Sequence, residues 1–164
     1  NNGYINVSSE PGLGTVFKIY LPRYAEMTAP DQGELGPQGL EPGSGTILLV
    51  EDEPMFLETT TRMLKNLGYT VLGTSLPGDA VNLIRECSGR VNLLIADVIM
   101  PGINGKELAS TLKRDYPELK VLFMSGYTAN VITGHGVLDK GVHLINKPFS
   151  ITELSGRIRE VFEA

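Results

Sequence analysis

The sequence predicts an α/β domain, a doubly wound sheet of five parallel strands with helices on both faces, preceded by a small β-hairpin. Three observations predict it. Apolar runs of strand length alternate with helix-length amphipathic stretches over residues 46–164, the pattern of repeated βα units. Two of those runs, Ile47-Leu48-Leu49-Val50 and Leu93-Leu94-Ile95-Ala96, read as buried strands and stop abruptly at carboxylates. A Gly- and Pro-rich stretch sets this region apart from the first 23 residues.

Taken in order, Gly3 to Glu10 and Gly14 to Leu21 are strand-like, the second placing Thr15, Phe17, Ile19 and Leu21 on one face. Pro11-Gly12-Leu13-Gly14 between them reads as a turn. The two strands predict a hairpin, which is marginal alone in water and is expected to come from a larger sheet. Residues 24–45 contain Gly33, Gly36, Gly39, Gly43 and Gly45 with Pro30, Pro37 and Pro42, which predicts a flexible linker. As a coil it would span on the order of 26 Å. Strands are then predicted near 46–51, 69–74, 92–97, 120–125 and 142–146, and helices near 54–67, 78–88, 105–116, 130–139 and 151–163. Ala80, Leu83, Ile84 and Cys87 share a face of the second helix; Ile151, Leu154, Ile158 and Val161 share one on the last, which Ser150 and Glu153 open as a capping box. The fourth helix is expected to be short, because Gly134 and Gly136 each cost about 1 kcal/mol in a helix interior.

Composition narrows the function. A net charge of −5 without clustered Lys and Arg argues against a nucleic-acid partner. No apolar run approaches the roughly 20 residues that span a bilayer, and the start is not a signal peptide, so no membrane contact and a cytoplasmic location are expected of this stretch. The single Cys87 falls in an apolar helical pattern and reads as core. A start at Asn1 that runs straight into strand-like sequence predicts a piece of a longer chain.

The chemistry gathers where strands stop. Glu51 and Asp52 follow the first strand, Asp97 ends the third, Ser125 ends the fourth and Lys147 follows the fifth. In an open parallel sheet, ligands bind beyond the carboxyl ends of the strands. Neighbouring carboxylates repel, which raises a pKa or calls for a cation, and hard oxygen ligands of this kind suit Mg²⁺. A carboxylate can act as a nucleophile and form an aspartyl phosphate, with a metal and an ammonium to neutralise charge. Each residue taken singly has an ordinary structural reading: a helix cap for Glu51-Asp52, turn chemistry for Asp97, a solvated loop charge for Lys147, a local hydrogen bond for Ser125. Jointly they suit one reaction that core packing gives no reason to expect.

Residues 46–164 resemble the receiver domain of two-component signalling. The resemblance lies in Leu48-Leu49-Val50-Glu51-Asp52-Glu53-Pro54, Asp97-Val98-Ile99-Met100-Pro101-Gly102-Ile103-Asn104-Gly105, Met124-Ser125-Gly126 and Lys147-Pro148-Phe149. It implies a flavodoxin-like sheet of order 2-1-3-4-5 and a phosphoryl group taken from phosphohistidine onto Asp97. It also implies Mg²⁺ on Glu51, Asp52, Asp97 and the Ile99 carbonyl, phosphoryl oxygens held by Ser125 and Lys147, and a cis Lys147-Pro148 bond. Gly3 to Phe17, with Gly12-Leu13-Gly14-Thr15, resembles the end of a histidine-kinase ATP-binding domain. Residues 1–23 would then be its last hairpin, 24–45 a linker and 46–164 the receiver. The implied parent is a hybrid sensor histidine kinase, of which this stretch lacks the kinase machinery.

Implied partners are the kinase's phosphohistidine domain or a histidine phosphotransfer protein, with a weak homodimer as a further expectation. Two departures stand out. Receivers usually carry an aromatic residue three before the lysine, where this chain has Leu144, so a ring flip is not the expected switch. Ile99 and Tyr127 are bulky at positions that in the family set the loss of the phosphoryl group, which predicts a long-lived phosphoaspartate. His135 and His143 are read as structural. The competing function class is a binding module on the same fold, either a receiver without phosphorylation or a nucleotide- or flavin-binding domain. Against the last, the first strand is followed by Glu51-Asp52-Glu53 rather than a phosphate loop.

Overall fold

In the computed structural model, residues 3–12, 14–21, 42–87, 90–126 and 142–164 are described, and the chain divides into two units, Asn1–Leu35 and Gly36–Ala164. In the first unit, β1 (Tyr4–Glu10) and β2 (Gly14–Tyr20) pair antiparallel, Ile5 opposite Ile19 and Val7 opposite Phe17. The predicted apolar face of the second strand is thereby joined by Ile5 and Val7. Tyr4 and Tyr20 stack on the other face with centroids 4.4 Å apart. Every described residue of the hairpin is exposed, Phe17 and Ile19 by 62% and 67%.

The second unit builds the predicted sheet from β3 (Thr46–Val50), β4 (Thr70–Thr74), β5 (Leu93–Asp97), β6 (Lys120–Ser125) and β7 (Leu144–Asn146). Their order is β4-β3-β5-β6-β7, all parallel, which is the expected 2-1-3-4-5. The intervening helices are α1 (Pro54–Asn66), α2 (Pro77–Glu86), α3 (Gly105–Asp115) and α4 (Ile151–Glu163). The helix predicted over 130–139, with His135, lies outside the described residues.

Side chains alternate between sheet faces, so each strand feeds two cores. Leu48, Val50, Leu94, Ala96 and Phe123 pack under α2 and α3 with Ala80, Ile84, Leu108 and Leu112. Ile47, Leu49, Leu93, Ile95, Leu122 and Met124 pack under α1 and α4 with Leu64, Leu154, Ile158 and Val161. Burial on both faces explains why the strands read as continuous apolar runs.

Local chemistry fixes the helix starts. Pro54 and Pro77 sit in the first turns of α1 and α2, where a missing N–H costs nothing. Asn104 caps α3 by accepting from the Glu107 N–H at 2.9 Å. The predicted capping box opens α4: Ser150 Oγ accepts from the Glu153 N–H, and Glu153 Oε2 accepts from the Ser150 N–H at 2.8 Å. The end of the predicted linker is tied to the sheet domain, since the Gly43 N–H donates to the Leu67 carbonyl at 2.7 Å and the Thr70 N–H to the Gly45 carbonyl at 2.9 Å.

Gly105 sets how closely α3 approaches the end of β5. A Cβ there would lie 2.2 Å from the Asp97 carbonyl oxygen, so α3 can pack this tightly only without a side chain. Gly105→Ala must push the helix off the Asp97 loop, and a loss of about 1–3 kcal/mol in urea unfolding is expected. A stability equal to wild type would show that the loop yields freely. At α4, the Ser150 backbone N–H and hydroxyl hold the Glu153 carboxyl below its ordinary value of 4.5. A depressed carboxyl stabilises the fold above its unfolded pKa and loses that contribution as pH falls through the folded one. Glu153→Gln should therefore melt below wild type at neutral pH, and the gap should close as pH falls below 4.5 and through the depressed carboxyl's own titration.

Candidate functional site

The register brings the five strand ends to one level. Val50 lies beside Ala96 and Thr74, Asp97 beside Met124, and Ser125 beside Asn146. The chain then leaves each strand through a polar residue. Glu51 is 1% exposed, held from behind by its N–H bond to the Thr74 carbonyl, while Asp52 is exposed. Carboxylate oxygens of Glu51, Asp52 and Asp97 lie within 4.8 Å of one another.

Asp97 is fixed through both oxygens. Oδ1 accepts from the Ile99 N–H at 3.1 Å, closing the local turn, and Oδ2 accepts from Lys147 Nζ at 2.5 Å. Lys147 also pairs with Glu51 Oε2. The lysine is placed by backbone bonds as well: its N–H donates to the Ser125 carbonyl at 2.7 Å, and the Lys147-Pro148 peptide is cis. Its side chain is only 13% exposed.

Burial pushes the Glu51 carboxyl above its ordinary 4.5, and the hydrogen bond and charge of Lys147 do not fully offset it. Burial opposes the charge of Lys147 too, yet Asp97 and Glu51 together hold its ammonium above the ordinary 10.5. Among the described residues, three carboxylates thus face one ammonium, an excess of two negative charges. An all-oxygen donor set with excess negative charge fits a hard divalent cation such as Mg²⁺.

Glu51, Asp52, Asp97 and Lys147 are therefore brought together as predicted. Ser125 ends β6 at the same level and is 1% exposed. The Ile99 side chain is 55% exposed, whereas Tyr127 lies outside the described residues. Leu144 is half-buried against the core under α2 and α3. His143 precedes β7 and its carbonyl accepts from the Phe123 N–H, consistent with a structural role. Phe56 escaped sequence reasoning. Its ring centroid lies 4.4 Å from Lys147 Nζ, and nothing in the helical pattern of α1 distinguishes it from a core residue.

Residues 47–159 match the response regulator receiver domain family, and the chain belongs to that family. It is a receiver domain of the kind used in two-component signalling. Sensor kinase CckA of Brucella abortus (strain 2308) is 33% identical over 168 aligned positions, covering 98% of this chain and 18% of that protein. The solved receiver domain of the hybrid histidine kinase CckA is 34% identical, with a TM-score of 0.55 over 71% of this chain and 97% of that one. A receiver domain from Clostridium thermocellum, 21% identical, shares the fold with a TM-score of 0.63 over 73% of this chain and 94% of that one. The chain spans less than half the length of the Brucella kinase and of the Bacillus subtilis regulator YvrH, of which it covers 48%. Among the described residues, no helix is long and apolar enough to cross a membrane.

Removing the ammonium leaves buried Glu51 beside two like charges. Lys147→Met is expected to lower stability by about 3 kcal/mol in EDTA, because breaking a buried pair strands its partner. Millimolar Mg²⁺ should restore much of it, read as a larger metal-induced rise in Tm than wild type shows. Equal melting of the two proteins in EDTA would contradict the role given to the ion pairs.

Proposed function

We propose that Asp97 is the phosphoacceptor of this receiver and takes its phosphoryl group from a phosphohistidine. The P–N bond of the donor breaks as a P–O bond forms to an Asp97 carboxylate oxygen, and the imidazole leaves with the electron pair and takes up a proton. Glu51, Asp52, Asp97 and the Ile99 carbonyl would hold Mg²⁺. That cation, when bound, would neutralise charge on the transferring oxygens. Lys147 supplies a second, covalently tethered positive charge, and Ser125 a hydroxyl for a phosphoryl oxygen. The observation that carries this reading is the contact of Lys147 Nζ with Asp97 Oδ2 at 2.5 Å inside a cluster of three carboxylates.

The parent is read as a hybrid sensor histidine kinase, cytoplasmic in this region, whose receiver passes the group to a histidine phosphotransfer protein or back to the kinase. Two observations support that reading. The match to the Brucella kinase extends over nearly the whole chain, hairpin and linker included. The apolar hairpin face of Ile5, Val7, Phe17 and Ile19 is exposed, as an edge taken from a larger sheet would be. Residues 1–23 are accordingly assigned to the end of the ATP-binding domain.

Intact mass after incubation with phosphoramidate and Mg²⁺ tests the acceptor. One added phosphoryl group is expected, lost in Asp97→Asn and in EDTA. A folded protein that takes no label would favour a receiver acting only as an interaction module.

A further inference from the structure

We propose that Phe56 is a positioning residue for phosphoryl transfer, its ring face seating the Lys147 ammonium beside Asp97. The proposal rests on Asp97 being the acceptor and Lys147 the group that meets the phosphoryl oxygens. Lys147 Nζ stands 4.4 Å from the Phe56 centroid, well inside the roughly 6 Å at which a ring face attracts a cation. The ring is itself held. Phe149 meets it nearly edge-on, with centroids 5.4 Å apart and an interplanar angle of 87°, and both rings pack against the core under α1 and α4.

A lysine is a point charge on a flexible four-carbon stem, so something must hold it where it is needed. Glu51 and Asp97 do so in this structure, but both are also the oxygens that a metal and an incoming phosphoryl group require. When those oxygens are engaged, the ammonium has to release them and stay within reach. The ring provides a hold that does not compete for oxygen. It meets Phe149 edge-on, and it carries no charge to be neutralised. A leucine at position 56 would fill similar space without a quadrupole to attract the cation.

A purely structural role and a positioning role separate when the ring's electrostatics change and its shape does not. In the full chain, Phe56 would be replaced by mono-, di- and trifluorinated phenylalanine, by Tyr and by Leu. Labelling of Asp97 by phosphoramidate at saturating Mg²⁺ would be followed by intact mass. The Lys147 ε-methylene proton shifts would be followed by NMR. Labelling should slow stepwise with fluorination, fall roughly three- to tenfold in Phe56→Leu and stay near wild type in Phe56→Tyr. The ε-methylene protons should be shifted upfield by the ring in wild type and lose that shift in Phe56→Leu. A labelled wild type with equal rates across the fluorinated series, or without the upfield shift, would overturn the role of Phe56 alone. A wild type that takes no label on Asp97 would overturn the acceptor assignment, and the positioning role with it.

Discussion

The contact of one lysine with two carboxylates, where the five strands end, is the constraint on which the structure turns. Glu51 is almost wholly buried and Lys147 nearly so, and charges in that position are tolerated only when paired. The pairing spans 96 residues of sequence from Glu51 to Lys147 and 50 from Asp97. It can form only if β3 and β5 are neighbours and the chain returns to the sheet beyond β6, which is the order found. The same order puts the Lys147 N–H on the Ser125 carbonyl, so the lysine's backbone is set by β6 before its side chain reaches the carboxylates.

Rigidity comes from the layers beneath. Strands packed on both faces bury Val50 and Ala96 completely, and Glu51 and Asp97 take their placement from the residues before them. The loop after Asp97 is closed by backbone contacts: the Val98 N–H bonds to Met124, the Gly105 N–H bonds to Val98, and α3 begins against the Asp97 carbonyl itself. If Asp97 is the acceptor proposed above, a carboxylate held in this way would spend little conformational freedom on reacting.

What the sequence made legible follows from what one-dimensional pattern can carry. Apolar runs ending at Glu51 and Asp97, the caps at Ser150 and Glu153, and the stripe of Leu154, Ile158 and Val161 are local signals, and the structure reproduces them. The convergence of Glu51, Asp52, Asp97 and Lys147 was legible because each stands at a strand terminus, and parallel topology makes those termini neighbours. The contact of Phe56 with Lys147 was not, because a phenylalanine in the first turn of an amphipathic helix carries the same periodic signature whether it meets leucine or ammonium. The tightness at Gly105 was hidden for a related reason. Its need arises from the Asp97 carbonyl, a through-space neighbour that a helix-start glycine does not announce.

The charge balance of the site explains why it is built with a surplus. Burial raises Glu51 while the carboxylates raise Lys147, so the ammonium is firmly charged and one acid is strained in its ionised form. With one cation for three carboxylates among the described residues, the site gains from a second positive charge. On the proposed reading, an incoming phosphoryl group would bring further negative charge to the same oxygens, which neither the ammonium nor a hard cation could balance singly. The ammonium is tethered and always present, whereas the cation is drawn from solution. On the proposed reading, a cation on the carboxylates would compete with Lys147 for Asp97 and Glu51 and would free the ammonium for the phosphoryl oxygens.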